Sequence, residues 1–198
     1  MKTIRNLALA ALVLLGCAQG AAAQITQTER ERLVAHLEMT SAWFLDEVSS
    51  LSPAQLDFKP SPRSWSIRQV IDHLVVVGQI YWDDLQKALK TPMRDRAPAS
   101  GDAEILWYGI DRSNRETALA PENPGGQLPD LQTALATYRK HHARLHEYAK
   151  TTTDDLRKLY VERQRSDAYQ WVLLISTHEQ RHILQIREIK ANQKYPRK

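Results

Sequence analysis

Apolar residues recur along this chain at steps of three and four in four long stretches, and nowhere alternate over the length of a strand. The first stretch runs from about Thr28 to Ser50, where Leu33, Leu37, Thr40, Phe44, Val48 and Leu51 draw one stripe along a helix. Ser52-Pro53 ends it, and the segment through Pro60 and Pro62 reads as loop, too rich in proline for helix. The second begins at Ser66 with Gln69 three residues on, the spacing of a capping box, and buries Ile67, Val70, Ile71, Leu74, Val77, Tyr81 and Leu85 before fading near Lys90. Residues 91–129 are broken repeatedly by proline and glycine, with one short helix expected around Ala103–Ile110. A third helix starts at Asp130 and runs to about Lys150, with Leu131, Leu135, Tyr138 and Leu145 inward. A fourth opens at Asp167 and ends near Asn192.

Four helices with one apolar stripe each bury those stripes most economically against one another. The pattern therefore predicts an all-α four-helix bundle, with 91–129 as a long crossover between the second and third helices. A connection of that length in a small domain reads as a lid or crossover.

Polar residues that interrupt these stripes carry the candidate chemistry. On the fourth helix Trp171, Leu174, Ile175, Ile186 and Ile189 define the apolar face, and His178 and His182 point along it one turn apart. Burying two imidazoles without partners costs on the order of 1–3 kcal/mol each. A shared metal ion removes that cost. His73 lies at the edge of the inward face of the second helix, with Val70, Val77 and Ile80. Three neutral imidazoles from facing helices make a site that zinc, nickel or iron accepts with positions left for water, able to polarise a substrate oxygen or sulfur. The alternative for each is a core histidine hydrogen-bonded to a carbonyl. His142 and His146 share the four-residue spacing but stand among charges, so they and His141 read as solvated or edge positions, as does His36. The five tryptophans read as core, with Trp65 and Trp107 the candidates to line a pocket over the ion.

His178-Glu179-Gln180-Arg181-His182 also matches H-E-x-x-H, in which Glu179 would act as the general base of a zinc protease. Neither the glycine of the longer protease motif nor a third ligand off this helix follows it. Glu179, about 70° from the stripe, suits a contact to a ligand or an ion pair.

Lys2 and Arg5, the apolar run Leu7–Gly16 and Ala21-Ala22-Ala23 before Gln24 make an export signal over 1–23 and leave 24–198 as the domain. The apolar run is about half the roughly twenty residues of a membrane span. The expectation is a periplasmic or secreted protein without a transmembrane segment. Leu14-Leu15-Gly16-Cys17 also resembles a lipobox, so cleavage after Ala23 and a lipid anchor at Cys17 both stay open. Cys17 is the single cysteine, which excludes an internal disulfide, a cysteine-ligated zinc and a cysteine nucleophile from 24–198. Losing Lys2 and Arg5 takes the net charge from +4 to +2, too mild and too dispersed for nucleic acid as a partner. A small-molecule substrate and a homodimer remain compatible with this surface.

Ser64-Trp65-Ser66-Ile67 with Val70-Ile71-Asp72-His73-Leu74, and Asp167-Ala168-Tyr169-Gln170-Trp171 with His178-Glu179-Gln180-Arg181-His182-Ile183-Leu184-Gln185-Ile186, resemble the second-helix and last-helix signatures of the DinB/YfiT-like superfamily. The resemblance covers 27–196. It implies a four-helix bundle, one divalent metal ion on His73, His178 and His182, and a metal-dependent transferase or hydrolase acting on a small molecule. Characterised relatives include metal-dependent transferases that use low-molecular-weight thiols, which an exported chain would not meet at useful concentration. A non-catalytic metal-binding or stress-related envelope protein is the alternative, with the ion sealed from substrate.

Overall fold

Each long helix starts at a side-chain cap that the sequence provides. Thr26 opens α1 (Gln27–Val48) by accepting the Glu29 N–H at 3.2 Å, while the Glu29 carboxylate accepts the Thr26 N–H at 2.7 Å. Ser66 and Gln69 form the same reciprocal pair at the start of α3 (Ile67–Leu89). Asp130 caps α5 (Leu131–Thr151) and Asp167 caps α6 (Ala168–Lys190), each through the backbone N–H three residues on. These four are the helices of the bundle. α1 packs against both α5 and α6, and α3 also packs against both, so α1 and α3 occupy opposite corners. The computed structural model describes residues 25–91, 97–114, 116–126 and 130–197. The expected export signal, with Cys17 and Ala23, lies outside the described residues, as do Pro92 and Pro129 of the crossover. Among the described residues no helix is long and apolar enough to cross a membrane.

Two details differ from the pattern-based expectation. The proline-rich loop contains one helical turn, α2 (Pro53–Asp57), because Pro53 sits where a missing N–H is harmless and Ser52 caps the turn. The break after α5 holds a minimal antiparallel ladder, β1 (Tyr160–Val161) with β2 (Ser166–Asp167), too short to register as alternation. Its turn closes through Arg165 in the left-handed region, at φ 51°.

The crossover is bound to the bundle at several points. Its short helix α4 (Asp102–Tyr108) lies along α6 and ends at Gly109. A Cβ there would meet the Thr177 Cβ at 3.0 Å and its carbonyl oxygen at 3.1 Å, so glycine permits the close approach. Arg181 of α6 donates to the backbone carbonyls of Tyr108, Asp111 and Asn114. Arg112 returns from the crossover to Glu188 at 2.6 and 2.9 Å.

Arg157, between α5 and β1, joins three helix starts. Its guanidinium reaches Glu29 at 2.6 Å, Asp102 at 2.7 Å and Asp167 at 2.9 Å, and lies 3.8 Å from the ring centre of Tyr169. Those carboxylates belong to the first turns of α1 and α4 and to the cap of α6, where the helix dipoles also favour negative charge. The Arg157 hydrogen bond holds the Asp102 carboxyl below the usual carboxylate range against the opposing effect of burial. Replacing Arg157 by alanine is expected to cost about 2 kcal/mol at pH 7, less than a fully buried pair because the group is partly solvated. A depressed carboxylate pKa stabilises the fold above the unfolded value near 4 and loses that effect as pH falls through the folded value. The gap between wild type and Arg157→Ala should therefore narrow below about pH 4, which urea melts at pH 7, 5 and 3 would check.

Candidate metal centre

Three imidazoles meet where α3 crosses α6. His178 and His182 are one turn apart on the inward face of α6, and His73 faces them from the second turn of α3. The Nε2 atom of His178 lies 3.4 Å from that of His73 and 3.1 Å from that of His182. One ligand nitrogen from each ring falls within 4.8 Å of the other two. Imidazole nitrogens around one tetrahedral zinc, at metal–nitrogen distances near 2.0–2.1 Å, stand roughly 3.3 Å apart. The spacing fits.

The outer nitrogens fix which lone pairs point inward. His73 Nδ1 lies 2.5 Å from the Glu122 carbonyl oxygen, which can only accept, so this nitrogen carries the hydrogen and Nε2 keeps its lone pair. His182 Nδ1 donates to Gln185 Oε1 at 2.8 Å, with the same result. Both lone pairs face His178 Nε2, which holds at most one hydrogen and satisfies one of them. A buried lone pair is left over, and a shared cation would satisfy it. Burial keeps all three rings neutral, as ligands must be. It lowers His178 to about 3, holds His182 well below the ordinary histidine value, and lowers His73 against the raising effect of the Glu122 carbonyl.

Trp65, the residue before the α3 cap, lies with its ring centre 5.0 Å from His73 and stacks 6.3 Å from His182. Tyr81 meets His178 edge-on at 5.5 Å. Trp107 does not line the site: it points outward and is 61% exposed. Trp43 is exposed too, beside Arg187, so the reading of all five tryptophans as core holds for Trp171 but not for these two. The Glu179 carboxyl faces Thr40 of α1 and Tyr138 of α5. The Tyr138 hydroxyl lies close to it without a well-aligned hydrogen bond. Burial pushes the Glu179 carboxyl up to about 7, against the lowering effect of those two hydroxyls.

The remaining histidines are half-buried, in keeping with edge positions, and three of them join helices. His142 Nε2 donates to the Leu37 carbonyl at 2.9 Å, His146 meets Glu38 at 2.9 Å, and His36 meets Ser176 at 2.8 Å. None belongs to the cluster. Sequence reasoning missed Glu122, Gln185 and Arg181. Gln185 was within reach, three residues past His182 on the same helix face. Glu122 contributes only its backbone carbonyl, for which no side-chain signal exists.

A cavity of about 210 Å³ reaches His178 from the crossover side, between α4, the β1–β2 turn and α3. Tyr81, Ile105 and His178 form its buried floor. The arrangement is a candidate metal centre with solvent access beside one ligand.

A sequence profile of the DinB superfamily matches residues 26–186. The uncharacterized protein YuaE of Bacillus subtilis (strain 168) is 28% identical over 150 residues, 73% of this chain and 89% of that one. Among solved structures the fold is similar to YfiT from Bacillus subtilis, described as a probable metal-dependent hydrolase with an unusual four-helix bundle topology. That similarity has a TM-score of 0.60 at 19% identity and covers 87% of this chain and 92% of YfiT. With its two helix signatures facing each other across one histidine cluster, this chain belongs to the DinB superfamily.

Proposed function

We propose that the protein is a metal-dependent enzyme, a hydrolase or group transferase acting on a small molecule, with one divalent ion held by His73, His178 and His182. The observation that carries this reading is the inward convergence of three neutral imidazoles beside a solvent-accessible cavity. The description of YfiT as a probable metal-dependent hydrolase supports it. An all-imidazole donor set suits zinc, nickel or iron better than magnesium or calcium. When bound, the ion supplies Lewis acidity to polarise a substrate oxygen.

The protein's own residues prepare the site. The Glu122 carbonyl and Gln185 fix the rings of His73 and His182 with their lone pairs inward. The indole of Trp65 shields those two rings. Arg181 holds the crossover down so that α4 forms a wall of the cavity. Glu179 faces α1 and α5, which favours a role in packing behind His178 over that of a protease base. The amino-terminal pattern of Lys2, Arg5, Leu7–Gly16 and Ala21-Ala22-Ala23 supports placing this activity outside the cytoplasm. There, hydrolysis is the better supported of the two reactions, since water is always present and a cytosolic thiol is not.

Metal analysis of untagged protein is expected to find about one equivalent of zinc or nickel per chain, lost in His73→Ala and in His178→Ala/His182→Ala. Chelator should lower the melting temperature of wild type and leave that of the double variant unchanged. Equal trace metal in all preparations would sink the assignment. Gln185→Ala should keep the fold while weakening zinc affinity about 10–100-fold, read by competition with a chromogenic chelator. For catalysis, zinc-loaded protein should hydrolyse 4-nitrophenyl acetate faster than the double variant does. Stoichiometric metal without that excess rate would favour the non-catalytic reading.

A further inference from the structure

The cavity beside His178 has a charge pattern that the proposed reaction does not itself require. Its mouth carries the exposed side chains of Glu104 and Glu116, and among the described residues neither lysine nor arginine lines it. Glu104 accepts the Gly101 N–H at 3.0 Å and Glu116 accepts the Tyr108 hydroxyl at 3.4 Å, which leaves each carboxylate with acceptor capacity. Among the described residues neither forms an ion pair. Two cations act on the cavity's rings: Arg163, on Tyr81, is already shared between Asp84 and Glu122, and Arg181, 4.9 Å from the ring centre of Tyr108, is held by carbonyls of the crossover. Glu104 and Tyr108 are one turn apart on α4, so a carboxylate and an aromatic ring share one wall.

A second observation points to a ligand in this space. Ser166, in β2, is 5% exposed and lines the cavity, and its hydroxyl has no hydrogen-bond partner among the described residues. A buried hydroxyl at the floor of a cavity calls for a polar group opposite it.

We propose that this cavity binds a small molecule bearing a protonated amine, its cationic end between Glu104 and Glu116 and its uncharged remainder reaching Ser166 and His178. Paired carboxylates are the chemistry that recognises an alkylammonium group. That the bound molecule is a substrate rests on the metal-dependent activity proposed above; its binding does not.

Benzylamine and benzyl alcohol, equal in size and different in charge, are the probes. Isothermal titration at pH 7 and low salt is run on the zinc-loaded protein and on protein stripped by chelator. Benzylamine should bind about tenfold more tightly than the alcohol in both forms, as two partly solvated carboxylates would give. In Glu104→Gln/Glu116→Gln that preference should vanish while alcohol binding and the melting temperature stay unchanged, since glutamine keeps the Gly101 bond. Equal affinity for the two probes, or an amine preference that survives the double substitution, overturns the proposal. So does a preference present only in the zinc-loaded form, which would mean that the amine nitrogen meets the ion. A protein that takes up no zinc yet still prefers the amine separates failure of the metal reading from failure of this one.

Discussion

The proposed function depends on three imidazole nitrogens being forced together in a space with at most one hydrogen among them. Two adjacent turns of one helix and a third turn from its neighbour supply the rings, and the outer nitrogens of His73 and His182 are occupied by a carbonyl and an amide. In water such rings would rotate apart. Inside the bundle they are held by the packing of α3 on α6, with Trp65 and Tyr81 against their faces. The hydrophobic packing of the two helices keeps an arrangement that the imidazoles alone would not choose, and a cation would relieve it.

Around that centre the crossover is organised by arginines more than by apolar contact. Arg181 gathers carbonyls from three points of a segment with little regular structure, and Arg157 gathers carboxylates from three helix starts. Guanidinium suits both tasks because its donors fan out in one plane and reach several acceptors at once. The wall of the cavity therefore consists of a short helix fixed at both ends by charge. It can carry acidic side chains at the mouth without a large apolar face of its own.

Much of this was legible in the chain because the information is local. Ser66 with Gln69, and Asp167 three residues before Gln170, place helix starts to the residue, since a cap and its partner N–H lie within one turn. His178 and His182 announced themselves by interrupting an apolar stripe at its own period. The path of the crossover was not legible. Arg181 and His73 bind backbone carbonyls there, and a carbonyl is the same whatever residue carries it. Trp107 misled because a large aromatic next to apolar residues reads as core, whereas α4 is too short to bury more than Ile105 of its own length. The two-residue ladder before α6 escaped because alternation needs more residues than it has.

The bond from His73 to the Glu122 carbonyl ties the centre to a part of the chain outside the four long helices. An ion drawing on one nitrogen of an imidazole makes the hydrogen on the other more acidic and its bond to the carbonyl stronger. By linkage, whatever affinity the ion gains from that carbonyl is returned as added stability of the turn that carries it. Were the centre loaded, its occupancy and the stability of the turn at Glu122 would in that sense be two readings of one equilibrium.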